Sequence, residues 1–403
     1  MSKKKICLAL VGIYFSMFRG FGQSLPDTIY ESKPLKLEEV NLVSSYYTQE
    51  GIHSAVTGGI GNEHVTDLAN GISVKFVGRD MSNIKHTITA GLGLDHHTAA
   101  SQAYVSKTGA SKKDGTRVYP SLEWLRENED KGSSFGIGAY YSAEYNYHSF
   151  GLDMSFSKKN KHNGQFDGKV NAYLDQVKMI YPSELVPAST VVSSASSGGE
   201  GKSNIPSSAR NTFSASGTFS QVINKRMQAS INVDVVEQNG YLGLPFHRVF
   251  FIDNSERVEN LPSNRLKVPI GLRLNYFAGD RVIIRSYYRF YKDDWGLTAH
   301  TAEVEIPVKI TPFFSVSPFY RFYTQTAVDY FAAYGKHLAT DTYFTSNYAL
   351  SALTSQYMGA GIKLTPPDGI LKTHLTSLEL RYGHYTQSTE LVSNIISLSM
   401  QFK

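Results

Sequence analysis

Apolar and polar residues alternate with a period of two through most of this 403-residue chain. In residues 281–294 (RVIIRSYYRFYKDD), Val282 and Ile284 share one face of an extended strand, and Arg281 and Arg285 share the other. Because successive side chains of a strand point to opposite faces, this pattern predicts a β-strand with one apolar and one charged face.

The same alternation recurs from about Val40 to the C-terminus, whereas helical periodicity is almost absent. It is clear in residues 148–157, 265–276 and 301–311, where apolar side chains occupy every second position. A soluble sheet would bury its apolar face under helices or a second sheet, and the sequence offers no helices for that cover. Lipid is therefore the expected partner of the apolar faces, and a wet lumen that of the charged faces. The alternatives are a soluble β-sandwich or a β-solenoid.

Short turns and longer loops alternate between the predicted strands. Short turns fall at 81–83, 129–132, 161–164, 224–226, 278–280 and 311–313, and longer loops fall near 100–114, 181–209, 243–263 and 331–351. An outer-membrane barrel has short turns on its periplasmic side and longer loops on its external side. With strands at 39–48 and 115–126 included, every short turn falls on one side. The sequence thus predicts an all-β fold, a transmembrane antiparallel β-barrel of about 16 strands (14–16), with both termini in the periplasm.

The first 22 residues have the pattern of a secretory signal peptide. Basic residues, Lys3 to Lys5, precede a short apolar run, and Gly20 and Gly22 are small residues before the expected cleavage site. The apolar run is shorter than the roughly 20 residues that a spanning helix needs. We expect residues 1–22 to be a cleaved signal peptide, 23–37 a periplasmic segment, and 38–403 a barrel in the bacterial outer membrane.

Removal of the signal peptide changes what the composition implies. The formal net charge of +5 falls close to zero, because residues 1–22 hold four basic residues and no acidic one. Nucleic-acid binding therefore loses its only support. Cys7, the single cysteine, is removed as well, which excludes disulfides, cysteine-ligated metals and a cysteine nucleophile in the mature chain. We expect no cofactor and no metal.

The charged faces of neighbouring strands predict a lumenal site. Arginines and glutamates that share a face on adjacent strands attract each other across the sheet, and such charges at a constriction screen solutes. The plainer interpretation is that barrel interiors are polar and pair their charges for stability. The predicted charged constriction consists of Arg273, Arg281, Arg285, Arg289, Glu303, Glu305 and Arg321.

A glycine-rich segment, VTGGIGNE at 56–63, does not precede a helix and is therefore a poor phosphate cradle. It suits a tight loop that folds inward as a partial plug. The residues of this predicted plug loop are His53, Gly58, Gly59 and Gly61.

Two adjacent histidines, His96 and His97, stand at a predicted external strand end. Neighbouring residues of a strand point to opposite faces, so the two imidazoles cannot chelate one ion without a bend or a third ligand. A polar strand-end rim is the plainer interpretation.

Catalytic motifs are lacking in the sequence. There is no G-x-S-x-G elbow, no H-E-x-x-H helix and no Walker-type loop. Serine and histidine occur side by side, as at His148 and Ser149, but adjacency in sequence does not make a catalytic dyad. We expect no catalytic residue and no enzyme activity. A hydrolase acting on lipid or polysaccharide at the outer rim is a third alternative.

Three stretches are similar to an uncharacterised family of predicted outer-membrane β-barrels, catalogued as domain of unknown function 3570. They are SYYTQEGIHSAVTGGIGNEHVTD (45–67), DHHTAAS (95–101) and SAEYNYHS (142–149). The resemblance runs from about residue 38 to the C-terminus and implies an exported barrel, without an accepted substrate or catalytic residue. It also implies a role linked to envelope redox or protein maturation, because family members are often encoded near a periplasmic flavin transferase and a small lipoprotein.

Two functions from different classes fit these features. The first is a porin-like or export channel with a charged lumen and an unidentified solute. The second is a non-conducting barrel that serves as a scaffold or receptor for a periplasmic or lipoprotein partner. In both cases the other expected partners are outer-membrane lipid and the barrel-assembly machinery, and nucleic acid is not a partner.

Overall fold

The computed structural model describes residues 32–98, 115–185 and 205–403. The expected signal peptide at 1–22 lies outside the described residues. Within the described ranges, no helix has the length and hydropathy that a membrane-spanning helix requires.

Sixteen antiparallel strands pair side by side and close into a barrel. In the first half of the ring these are β1 (Lys33–Gly51), β2 (Glu63–Arg79), β3 (Lys85–His97), β4 (Gly115–Asn128), β5 (Ser133–Ala143), β6 (Tyr147–Lys159), β7 (Gly164–Lys178), β8 (Ser207–Asn224) and β9 (Met227–Gly240). In the second half they are β12 (Asn264–Ala278), β13 (Val282–Asp293), β14 (Thr298–Glu305) with β15 (Val308–Lys309), β16 (Phe314–Gln325), β17 (Leu353–Leu364), β18 (Leu375–Gln387) and β19 (Leu391–Phe402).

Pairing of the first strand with the last closes the ring. β1 pairs with β19 from Val40↔Phe402 to Glu50↔Val392, and β9 pairs with β12 on the opposite side. β14 and β15 count as one strand, interrupted at Ile306 and Pro307, because both pair with β13 and β16. A two-stranded hairpin, β10 (Arg248–Phe250) and β11 (Glu256–Val258), lies outside the ring. The predicted barrel of about 16 strands is confirmed.

The two ends of the barrel differ in their connections, as predicted. All six predicted short turns lie at the end that also holds Lys33 and Lys403, which we call the periplasmic end. The long connections 52–62, 241–263 and 326–352 lie at the other, external end, as do the ends of β3, β4, β7 and β8 that two further long connections join. Residues 99–114 and 186–204 of two of these loops lie outside the described residues. The first strand begins at Lys33, five residues before the expected barrel start at 38.

Strand β6 shows how the alternation sorts side chains between two environments. Phe150, Leu152 and Met154 are 43%, 50% and 61% exposed on its outer face, whereas Ser149 on its inner face is 6% exposed. Exposed apolar side chains alternate with polar inward ones in this way around the ring. Because every backbone group of a closed sheet has a partner, such a barrel can stand in lipid. The outer surface is therefore membrane-facing.

The strands are long enough to cross a bilayer. The 13 residues of β6 extend over about 43 Å, which at a tilt of about 40° rises about 33 Å along the membrane normal. The hydrocarbon core of a bilayer is about 30 Å thick. The strand length therefore matches a transmembrane barrel.

A matched pair of substitutions on β19 tests which face meets lipid. Ile396→Arg places a charge on the outer face near mid-strand, and we expect it to lower the free energy of unfolding by about 2–4 kcal/mol. Ser399→Arg places the same charge on the inner face, where it reaches water, and we expect a cost of less than about 1 kcal/mol. Urea titration of the protein refolded in vesicles measures both. Equal costs for the two variants would contradict the assigned orientation.

Candidate functional site

An ion pair between non-adjacent strands identifies the inner face of the wall. Arg381 on β18 lies 2.9 Å from Glu305 on β14, although β16 and β17 stand between these two strands. Such a contact spans the concave side of a curved sheet. Glu305 is also paired in register with Arg285. The face that carries these residues therefore lines the lumen. Residues paired in register lie on the same side of the sheet, so the pairing identifies the lumenal residues of every other strand.

The structure brings most of the predicted charged constriction together. Arg285 lies 3.1 Å from Glu305, and Arg321 lies 2.8 Å from Glu303. These pairs stand on β13, β14 and β16, and each involves one half-exposed arginine. The cross-strand attraction that the sequence predicted is present. Whether these charges screen solutes stays a prediction.

Arg281 stands apart from the other predicted residues. It precedes β13 at the periplasmic turn, and its backbone carbonyl accepts a hydrogen bond from the Lys309 amide at 2.8 Å. Its side chain is exposed at the rim. It belongs to the turn rather than to the mid-lumen group.

The group of lumenal charges also extends over β17 and β18, through three residues that the sequence did not lead us to predict, namely Lys363, Glu379 and Arg381. Arg381 lies 3.1 Å from Glu379, and Lys363 lies 3.4 Å from Glu379. The signal was present, since residues 375–387 alternate with the same period and place Glu379 and Arg381 on one face. The contact between Arg381 and Glu305 depends on barrel curvature and had no sequence signal.

Several lumenal arginines rest on aromatic rings, and each ring lies over a glycine of the neighbouring strand. A Cβ atom at Gly93, Gly359 or Gly383 would collide with the ring, so glycine provides the space for it there, whereas a Cβ at Gly271 would meet the Asn232 side chain and the Tyr287 hydroxyl. The guanidinium then stacks on the ring's outer face, which is a favourable cation–π arrangement. The four stacks are Gly271–Tyr287–Arg273, Gly383–Tyr357–Arg321, Gly359–Phe319–Arg381 and Gly93–Tyr119–Arg117, with guanidinium-to-ring distances of 5.3, 5.2, 5.1 and 4.9 Å.

Two arginines lie beside Tyr287 on the inward faces of β12 and β13, a surface that we call the basic wall. Among the described residues Arg273 and Arg289 form no ion pair, and the Nε atom of Arg289 is buried without a hydrogen-bond partner. Both flank Tyr287, since Arg273 is its register partner on β12 and Arg289 follows it by two residues on β13. This part of the wall therefore carries positive charge that no neighbouring side chain neutralises.

Loops from opposite sides of the ring meet at the external end. We call residues 52–62, 241–263 and 326–352 the loop cap. The loop after β1 and the loop after β9 start eight strands apart in a ring of sixteen, which is diametrically opposite. Sixteen strands about 4.8 Å apart and tilted by about 40° enclose a ring roughly 30 Å across. A contact between these loops therefore lies over the mouth.

Arg248 of β10 makes that contact. Its Nη1 donates to the Val56 carbonyl at 2.8 Å, and its guanidinium lies 2.6 Å from the Glu184 carboxylate and 3.2 Å from the Glu256 carboxylate. The arginine side chain is only 9% exposed. Burial raises the pKa of Glu256, and the neighbouring Glu184 charge adds to this effect. Arg248 thus joins three external connections.

The predicted plug loop is part of this cap. The His53 ring stacks on Tyr348 with centroids 3.7 Å apart, and its Nδ1 lies 2.9 Å from the Gly59 carbonyl. Gly58, Gly59 and Gly61 all have positive φ, which glycine adopts without strain. A Cβ at Gly58 would contact Phe250 at 2.6 Å. The glycines therefore permit the close approach of the other cap loops.

An apolar cluster fixes the cap to the inner wall. Its buried residues are Trp295, Leu297, Ala299 and Val328. Ala299 lies on the lumenal face of β14, in register with Tyr291 and Gln325. Cap residues pack on this cluster, namely Leu242, Leu261, Tyr330, Phe331 and Leu350. The cap loops therefore fold inward over the external end of the lumen.

A buried carboxylate joins two cap loops. Glu259 is 4% exposed and accepts hydrogen bonds from the Leu244 amide at 2.8 Å and the Thr345 hydroxyl at 2.5 Å. The His247 Nδ1 lies 3.6 Å from its Oε2, an ion-pair distance rather than a hydrogen bond. Burial alone would raise the pKa of Glu259, but His247 and the two donors hold that pKa below its ordinary value. The carboxylate is thus charged at neutral pH.

His96 and His97 point to opposite faces, as predicted. The His96 ring lies 2.9 Å from the Thr116 hydroxyl on the outer face, and the His97 Nε2 lies 3.1 Å from Glu144. Among the residues that the structure describes, no three His, Cys, Asp or Glu side chains are grouped as metal ligands.

A family profile described as "Protein of unknown function (DUF3570)" matches residues 85–394. No sequence among the curated proteins matches that of this chain.

Several solved structures resemble this barrel. The chain is 9% identical to a bacterial polysaccharide outer membrane secretin, with a TM-score of 0.43 and coverage of 90% of this chain and 98% of that one. It is 7% identical to the outer membrane protein OprD from Pseudomonas aeruginosa, with a TM-score of 0.43 and coverage of 92% and 93%. The siderophore receptor PirA from Acinetobacter baumannii is 12% identical, with a TM-score of 0.45, and the chain spans 54% of its length. These sequence identities and TM-scores are too low to support a conclusion about this chain. Its architecture is established by its own strand pairing.

Acidification tests the role of Glu259 in the cap. A carboxyl whose pKa is lower in the folded than in the unfolded state contributes stability above the unfolded value, about 4.3, and loses it as pH falls further. With Trp124→Phe as background, Trp295 is the only tryptophan and reports on the cap. We expect its emission to be constant from about pH 7 to 5 and to shift to longer wavelength below about pH 4.

Glu259→Gln in the Trp124→Phe background tests whether Glu259 is the group responsible for the acid transition. We expect it to cost the cap about 1–3 kcal/mol at neutral pH and to remove the acid transition. Asp130→Asn, in a periplasmic turn, is the matched control and should leave the transition in place. An acid transition that persists in Glu259→Gln would assign it to another group.

Proposed function

Because the chain belongs to the protein family of unknown function DUF3570, its role has to come from its own geometry, and we propose that it is a porin-like channel of the outer membrane. The observation that carries this proposal is the basic wall around Tyr287, where no carboxylate among the described residues pairs with Arg273 or Arg289. Charges without neighbours attract mobile counter-ions from water. The proposed channel therefore favours small anions over cations.

The width of the barrel supports an aqueous path. A ring of sixteen strands exceeds what its own inward side chains fill. Lumenal arginines and lysines remain half-exposed even in ion pairs, as the side chains of Arg285, Lys169 and Lys363 do at 50%, 48% and 47%. Gly71 faces the lumen, and nothing lies within 4 Å of the position that its Cβ would occupy. Water can reach these groups along the wall.

Ion selectivity tests this proposal. In planar bilayers with a salt gradient, we expect the native protein to give a reversal potential of the anion-selective sign. Replacing Arg273 and Arg289 by Ser should lower the anion-to-cation permeability ratio about twofold or more, because two charges leave the wall. Lys225→Ser removes a charge at a periplasmic turn and serves as the control. An open pore whose selectivity the double substitution leaves unchanged would exclude the basic wall as the selecting element.

The loop cap favours the second candidate, a barrel that does not conduct but serves as a receptor or scaffold for a periplasmic or lipoprotein partner. Loops that meet over the mouth narrow or close the path through the lumen, and Arg248 holds three of them. The two candidates predict different behaviour of one variant.

Arg248→Ala separates the candidates. It removes a buried guanidinium that lies against the Glu184 and Glu256 carboxylates, so we expect the cap to loosen. For a channel narrowed by the cap, single-channel conductance should rise about twofold or more. Arg226→Ala, at a periplasmic turn, is the control. If the native protein and Arg248→Ala are both silent while correctly folded, the non-conducting scaffold is favoured.

A further inference from the structure

The balance of charge differs between the two sides of the lumen. The inward faces of β12 to β18 carry Arg265, Lys267, Arg273, Arg285, Arg289, Lys309, Arg321, Lys363 and Arg381 against Asp293, Glu303, Glu305 and Glu379. The inward faces of β2 to β6 carry Glu63, Asp67, Asp95, Glu123, Glu127 and Asp153 against Lys75, Arg79, Lys85, Arg117 and Lys159. One wall is therefore strongly basic, whereas the facing wall is nearly balanced with a slight excess of anions.

Two charges of opposite sign, neither in an ion pair among the described residues, stand equally many residues from the periplasmic ends of their strands. Arg273 is the sixth residue from the periplasmic end of β12, and Glu123 is the sixth from the periplasmic end of β4. Both are exposed in the lumen, and neither forms an ion pair within the described residues. β4 and β12 stand six strands apart in a ring where eight is diametric. The two charges thus face each other across the lumen.

The gap between them sets the length of a solute that meets both. The ring is roughly 30 Å across, and inward side chains leave roughly 15–20 Å between the two charged groups. An extended peptide spans at most about 3.3–3.6 Å per residue. A pentapeptide is therefore about the right length, whereas a single amino acid reaches only one wall.

We propose that the lumen selects elongated dipolar solutes, namely short zwitterionic peptides that lie across it with the amino end toward Glu123 and the carboxylate toward Arg273. The proposal rests on the proposed channel function. Each end of such a solute meets an opposite charge at the same time, whereas an uncharged solute gains nothing from either wall. Tyr287 holds the Arg273 guanidinium on the wall, so the site is ordered before the solute arrives.

Interruptions of single-channel current by peptides test the proposal. The probes are one pentapeptide of alternating alanine and serine with free ends, the same peptide with acetyl and amide caps, and the same peptide with only the acetyl cap. We expect the free peptide to reside about threefold longer than the singly capped one, and the singly capped one about threefold longer than the doubly capped one, because unit charges about 6 Å apart attract modestly in water.

The decisive experiment exchanges the charges of Arg273 and Glu123 across the lumen. Glu123→Arg should remove the preference for the free peptide over the acetylated one, because these two probes differ only at the amino end. Arg273→Glu should remove the preference for the acetylated peptide over the doubly capped one, because these two differ only at the carboxylate. The double variant reverses the direction of the charges and should restore both preferences, because a dipolar solute can turn round. The exchange of two turn residues, Lys225→Glu with Asp130→Lys, is the control of equal net charge.

The outcomes separate this proposal from the proposed function. Equal residence of the three peptides in a conducting native channel would overturn the peptide proposal and leave the channel intact. A double variant that fails to recover the two preferences while it still conducts would do the same. Absence of conductance from the folded native protein would overturn the channel, and the peptide proposal with it.

Discussion

The rest of the structure depends on one constraint, which is that every backbone amide and carbonyl in a bilayer needs a partner within the protein. A sheet meets this constraint only when its first and last strands pair, as β1 and β19 do here. Closure fixes which residues of each strand face lipid and which face the lumen, because successive side chains alternate between the two sides; we call this alternation the parity of the strand. The position of each charged side chain then follows from the register, and Arg381 reaches Glu305 because both inherit the inward parity.

The stacks of arginine, aromatic ring and glycine follow from that parity. A wide lumen leaves long side chains free to move in water, and free side chains hold no fixed charge pattern. At Gly271 the absence of a side chain leaves room for the Asn232 side chain and the Tyr287 hydroxyl, and the Tyr287 ring in turn supports the Arg273 guanidinium. The wall thus supports guanidinium groups that have an acidic partner, such as Arg321 with Glu303, and also Arg273, for which the described residues provide none. The same arrangement on β17, β18 and β4 makes it a property of the wall rather than of one residue.

Local alternation made the barrel predictable from the sequence, because lipid and water lie on opposite faces of every strand. The pairing of Arg285 with Glu305 was predictable for the same reason, since both positions follow from one hairpin. Arg281 was placed in the constriction because parity gives the face of a residue but not its depth along the barrel axis. Arg381 was missed because its contact with Glu305 crosses two strands and depends on curvature. The tight turns of 56–63 were predictable from its glycines, but its partners Arg248 and Phe250 lie in loops without periodicity.

The contact between Arg248 and Val56 joins residues 192 positions apart in the chain. Ordering such a contact is entropically expensive until the intervening sheet has already brought its ends together. The cap therefore belongs to the last stage of folding, after strands from both halves of the ring are in place. A barrel that is still being assembled would consequently have a wider mouth, and loops joined over that mouth would mark a completed ring.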